Sequence, residues 1–104
     1  IGSFAESKRV HDACVRAGIG IFGGGRLETG IAKSANAAFY ALSGFTDASD
    51  ITPPIEYLES DIIEPAFRVR AGICDLPNGP GIGVSVVDGT LRLYEQERFV
   101  IGTI

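Results

Sequence analysis

Glu28 is the residue of this chain whose type and neighbours best suit chemistry. It follows Gly23-Gly24-Gly25 and Arg26 and precedes Thr29-Gly30. A carboxylate just beyond a loop of bare backbone can give a proton to, or take one from, a ligand lying against that loop. The same side chain can also do no more than complement the dipole of a helix that begins there. The glycine run divides the same way. Its amides can approach an anionic group, with the helix N-terminus reinforcing the field, or the run can merely let the chain reverse. Downstream, "FTDASDIT" carries two more acids. Asp47 reads as a solvated turn former, whereas Asp50 enters a short extended segment. His11 is the single histidine, beside Asp12 on a helical stretch. It is expected at the surface and is given no role. With one histidine, no paired acids and no cluster of metal-ligand spacing, these residues do not make a complete catalytic set by themselves.

Other chemistries are disfavoured. "GIGIFG", Gly18 to Gly23, has the letters of a dinucleotide fingerprint, but that motif needs a strand before its first glycine and a helix at its third. Here a helix precedes and the strand-like residues lie inside the motif. No Gly-Lys-Ser/Thr follows, so a phosphate loop is excluded. A formal charge of -4 with scattered Lys and Arg offers no basic stripe for nucleic acid. No stretch reaches the roughly 20 apolar residues of a membrane span, and the first ten residues do not look like a secretory signal. Cys14 and Cys74 have no Cys-x-x-Cys neighbour or histidine pair. Both read as buried or half-buried thiols of a reducing compartment, so the expected location is cytoplasmic.

The elements that would position these groups follow from periodicity. At 104 residues there is room for one domain at most. Glu6 to Ala17 has apolar residues at helical spacing, and Gly18 suits a C-terminal cap. Ile19 to Phe22 reads as a buried strand. Thr29 to Leu42 reads as a helix whose inner face carries Ile31, Ala35, Ala38, Phe39 and Leu42. Asp50 to Thr52 is a short extended segment stopped by Pro53 and Pro54. This helix, strand, helix, strand order is that of a parallel α/β sheet. The second half is antiparallel in character. Ala66 to Arg70 and Ile73 to Leu76 flank Ala71-Gly72 as a hairpin, with alanine an imperfect choice where φ must be positive. Val84 to Val87 reads as a further strand, and a helical turn is expected through Leu91 to Glu95. Two parallel strands cannot close a core, so the pattern is that of the tail of something larger.

In this order the chain resembles the C-terminal part of an enolase-superfamily enzyme, in the branch of muconate cycloisomerase, o-succinylbenzoate synthase and N-acylamino-acid racemase. "GGGRLETGIAKSANAAF" is similar to that branch's Gly-Gly-Met-Leu-Glu-Thr-Gly-Ile-Gly pattern. "GFTDASDITPPIEYLESDIIEPAF" is similar to its short Asp-Ile strand followed by Asp-Ile-Ile and Glu-Pro-Pro-Phe. "PNGPGIGVSVV" is similar to its Pro-x-Gly-Pro-Gly-Ile-Gly-Val-x-Val close. The resemblance implies an α/β fold: the last part of a TIM-type (β/α) barrel, sixth helix to eighth strand, over 1–63. A β-rich segment over 64–104 would return to the capping domain. A whole barrel takes about 250 residues.

The implied chemistry is abstraction of a proton α to a carboxylate, with Mg²⁺ (or Mn²⁺) in the full-length parent and none held by this chain alone. The implied partner is a small-molecule carboxylate substrate, with no nucleic acid and no membrane, and with homo-oligomers or association through exposed barrel strands. Glu28 maps to the position of the proton donor in the cycloisomerases of the branch. Gly23, Gly24, Gly25 and Arg26 would rim the substrate, and Asp50 and Thr52 would touch its variable end. The base lysines and metal ligands would lie upstream of Ile1, so the isolated chain is expected to be inactive. Muconate or chloromuconate cycloisomerase, dipeptide epimerase, and a non-catalytic self-associating remnant are the alternatives. Arg26 stands where methionine is usual, Ser3 where glycine is, and Pro53-Pro54 where an Ala-Ser pair is, so substrate preference does not carry over.

Overall fold

Helix α1 runs Phe4–Ala17. The Ser3 hydroxyl caps it by accepting the Glu6 amide at 3.2 Å. Gly18 ends it at φ 66, and the Ile19 amide closes on the Cys14 carbonyl at 2.9 Å. The computed structural model of the chain describes residues 2–102. Exposed pairs on α1, Lys8–Asp12 at 2.7 Å and Glu6–Arg9 at 3.0 Å, contribute little in water.

The segment after α1 departs from expectation. Ile19–Phe22 is extended but not a buried strand: Ile19 is 59% and Phe22 63% exposed. Its one bridge is parallel, Ile21 to Phe45, reinforced by the Thr46 amide on the Ile21 carbonyl at 3.1 Å. A central parallel strand is ordered by neighbours on both edges, and among the described residues this one has a neighbour on one edge only. Asp50–Thr52 likewise forms no ladder. Its backbone is tied to the glycine run by the Asp50 amide, which donates to the Gly23 carbonyl at 2.8 Å.

Helix α2, Gly30–Tyr40, starts at Thr29, whose side chain makes no capping bond. The cap comes from 31 residues downstream, where the Asp61 carboxylate accepts the Gly30 amide at 2.9 Å. The buried stripe of α2 is Gly30, Lys33, Ser34 and Ala37. The expected inner face has the right spacing but lies one position away, and Ala38 is exposed. The reason is tertiary. Tyr57 lies at Lys33, and Ile62, Ile63 and Phe67 pack with Ala37, burying a face with a lysine and a serine that hydropathy alone would turn outward.

That segment opens with a single 3₁₀ turn, Pro54–Glu56, and contains β1, Ile63–Glu64. Strand β1 pairs antiparallel with β4, Ser85–Val86. Between them, β2, Val69–Arg70, and β3, Ile73–Cys74, form the expected hairpin. Its turn residues are Ala71 at φ 48 and Gly72 at φ 76, the double left-handed geometry of a tight two-residue loop. Helix α3, Asp88–Tyr94, begins three residues earlier than the expected helical turn. The Tyr94 hydroxyl donates to the Ser60 carbonyl at 2.9 Å and accepts the Ser60 amide at 3.1 Å. The apolar core is Ala37, Ile62, Ile63 and Phe67, with Ile31, Ile51, Val69, Val84 and Leu91 against it.

A second cluster joins α1 to α2 through rings. His11 stacks on Phe45 at 5.6 Å, and Phe39 and Tyr40 meet Phe45 at 5.4 and 5.1 Å. His11 is therefore not a surface residue; it is 7% exposed. Gly44 permits this, because a Cβ there would lie 2.4 Å from His11 Nε2.

Candidate functional site

The glycine run is bare because neighbouring atoms crowd it, and none of its three residues has positive φ. A Cβ on Gly23 would lie 2.4 Å from the Tyr40 ring, and one on Gly25 would lie 2.5 Å from the Asp50 carbonyl oxygen. Both distances are far inside van der Waals contact, so these two positions require glycine for close approach. A Cβ on Gly24 would meet nothing. The Gly23 amide already donates to Ser49 Oγ at 3.0 Å. The Gly24 carbonyl accepts the Tyr40 hydroxyl at 2.9 Å.

Beyond the run, the chain bends over the start of α2, and Glu28 is held at both backbone and side chain. Its amide donates to the Tyr57 hydroxyl at 3.2 Å, and that hydroxyl donates in turn to the Glu28 carbonyl. Its carboxylate accepts the Asn36 side-chain amide at 3.0 Å. Arg26 is exposed, and its carbonyl accepts the Lys33 ammonium at 2.5 Å.

Glu28, Arg26 and Gly24 line one cavity of about 340 Å³, shared with Asn36, Tyr40 and His11. That volume lies within the range of small-molecule clefts. Its walls are aromatic on the α1 side and polar on the glycine-loop side. Burial, then the nearby charge of Glu28, pushes the Tyr40 phenol above its ordinary range. Burial does the same to Tyr57.

Of the residues singled out in the sequence, the structure gathers Gly24, Arg26 and Glu28 on the cavity. Gly23 and Gly25 stand behind it as contact points for Tyr40 and Asp50. Asp50 lies against Gly25, and neither Asp50 nor Thr52 lines the cavity. Asn36 and Tyr40 were not singled out, yet they stand four apart in α2, a spacing that places them on one face of the helix. Tyr57 and Lys33 have no such signal, since both act across a turn of tertiary packing. Among the described residues, no group of three or more His, Cys, Asp or Glu side chains could hold a metal ion. These residues therefore do not fit a metal, and no step here runs through one. No described helix is long and apolar enough to cross a membrane.

The chain belongs to the enolase C-terminal domain-like family, whose model matches residues 1–89. Among its relatives, an o-succinylbenzoate synthase of Geobacillus stearothermophilus is 36% identical, over 92% of this chain and 26% of the relative. An N-succinylamino acid racemase of Amycolatopsis sp is 38% identical, over 99% of this chain and 28% of the relative. A solved enolase-superfamily member from Listeria innocua superposes with a TM-score of 0.83 at 28% identity, covering 88% of this chain and 25% of that one. Muconate lactonizing enzyme from Klebsiella pneumoniae superposes at 0.72 with 26% identity, covering 81% of this chain and 23% of its own. The enolase-superfamily resemblance of the three motifs is thereby borne out, and the named relatives are enzymes. The chain spans about a quarter of the length of the curated relatives it matches.

Proposed function

We propose that these residues form the closing part of a longer enolase-superfamily enzyme that removes a proton α to a carboxylate. Its substrates would resemble those of o-succinylbenzoate synthase or N-succinylamino acid racemase. In this reading residues 1–63 complete a barrel and 64–104 return towards a capping domain. The carrying observation is Glu28, half-buried on the wall of a ligand-sized cavity with its carboxylate oriented by Asn36. Glu28 exchanges a proton with the bound acid, Arg26 offers a cation at the mouth, and Tyr40 and His11 help exclude water. The magnesium or manganese of this chemistry, and the base, belong to residues outside these 104.

The test compares two proteins with N-succinylamino acids in deuterated water, following α-deuterium incorporation by NMR. The longer protein exchanges the α proton in the presence of Mg²⁺, and the 104-residue chain does not. A longer protein inert towards every such acid would contradict the reading. Exposed Ile19 and Phe22, with a single bridge between Ile21 and Phe45, favour a second outcome for the isolated chain. It self-associates through that edge, and sedimentation showing a monomer would exclude this.

A further inference from the structure

Lys33 is the most enclosed charged side chain of the described residues, 1% exposed, and the mechanism above does not use it. Among the described residues it forms no ion pair. Its ammonium meets one carbonyl, that of Arg26 at 2.5 Å, and the face of the Tyr57 ring 5.9 Å away. It also sits at the first turn of α2, the positive end of the helix dipole, where a cation is disfavoured. An enclosed cation without a carboxylate is a poor way to stabilise a fold, since an apolar side chain of the same length avoids the desolvation cost. What the ammonium does achieve is specific. It draws the Arg26 carbonyl down onto α2, two residues before Glu28.

Tyr57 acts on the same short stretch from the opposite element. Its hydroxyl both accepts the Glu28 amide and donates to the Glu28 carbonyl. The ring that carries this hydroxyl is also the face over which Lys33 lies. Three backbone atoms of residues 26–28 are therefore held by two side chains, one from α2 and one from the turn after the 3₁₀ segment. The Glu28 side chain then leaves a fixed backbone, and Asn36 sets its last torsions. Placement to within a fraction of an ångström is what a proton-transfer group needs, and a loop without such ties does not supply it.

We infer that Lys33 and Tyr57 are positioning residues, whose polar ends pin the backbone of residues 26–28 and so aim the Glu28 carboxylate into the cavity. The inference rests on the proposed role of Glu28 and adds the two residues that set its geometry.

The test uses the longer protein with Lys33→Met, which keeps chain length and removes the donor, and Tyr57→Phe, which keeps the ring and removes the hydroxyl. Amide hydrogen exchange at residues 26–28 is read first, because it needs no activity. Exchange there is expected to rise about tenfold in each variant, with α1 unchanged. Turnover is read second: kcat is expected to fall about 10- to 100-fold with KM within twofold, at an unfolding temperature equal to or above that of the parent. Lys33→Arg, which restores a donor, is expected to recover part of kcat. Unchanged exchange at 26–28, or unchanged kcat despite faster exchange, overturns the inference. A kcat loss that merely follows a lowered unfolding temperature in both variants overturns it too. A parent protein with no α-proton exchange on any carboxylate instead removes the functional reading, and the exchange result alone then decides the pinning.

Discussion

The two flanks of α2 are built on different principles. On one, Lys33, Ser34 and Ala37 are buried, with Tyr57 at Lys33 and Ile62, Ile63 and Phe67 packed with Ala37 as the apolar core. On the other, rings from α1, α2 and Phe45 meet at centroid distances of 5.1 to 6.3 Å around an open cavity. Here His11 Nε2 is buried without a hydrogen-bond partner. The closed flank supplies stability and anchors the glutamate loop. The open flank holds the cavity that Glu28 lines. One helix thus separates a packed flank from an open one.

Truncation at the closed flank should cost most. Phe67→Ala is expected to lower stability by about 3–5 kcal/mol, because the ring is fully inside the core and its removal leaves a void. Urea unfolding of the chain measures it, and a change under about 1 kcal/mol would mean that the flank is not close-packed.

A paired glycine substitution sharpens the contrast. A Cβ at Gly30 would lie 2.1 Å from Asp61 Oδ2 and 2.4 Å from Ile63 Cδ1, atoms locked by the helix cap and the core. Gly30→Ala should therefore cost about 1–3 kcal/mol and expose the α2 N-terminus. At Gly44 the crowding atoms are His11 Nε2 and Val15 Cγ2, side chains beside a cavity that can yield. Gly44→Ala should cost less, about 1 kcal/mol. The reverse order would contradict the assignment of rigid and yielding flanks.

The open flank also has a pH signature. Tyr40 is raised, first by burial and then by Glu28, so the folded chain holds this proton more tightly than the unfolded one. That stabilisation is complete below the unfolded value of about 10 and is lost as pH climbs through the folded value. Denaturation midpoints should therefore fall more steeply above that pH in the parent than in Tyr40→Phe. The smallest effect lies far from both flanks. Ala71→Asn should stabilise the chain by about 0.5–1 kcal/mol, since asparagine tolerates the left-handed backbone that alanine holds at φ 48. Thermal unfolding would read it as a modest rise.

Local signals carried much of this fold. The Gly18 end of α1, the Ala71-Gly72 hairpin and the Glu28 loop were legible because each depends on residues near one another in sequence, whereas α1 starts two residues before Glu6, on the Ser3 cap. The buried stripe of α2 was not, because it is set by residues more than 20 positions away, Tyr57 at Lys33 and Ile62, Ile63 and Phe67 at Ala37. Ile19–Phe22 reads as buried from its own residues, yet burial needs neighbours on both edges, and the described residues provide one. His11 was misplaced because nothing local announces the stack on Phe45 that Gly44 makes room for. At the site, the carboxylate was visible and its holders Lys33 and Tyr57 were not.

The most direct test of the account is the turnover of Glu28→Gln in the longer protein, read as α-deuterium incorporation into an N-succinylamino acid. The substitution keeps size and the Asn36 contact while removing the titratable proton. The account predicts a fall of at least about 100-fold in kcat with the unfolding temperature unchanged. Wild-type turnover in Glu28→Gln would contradict it.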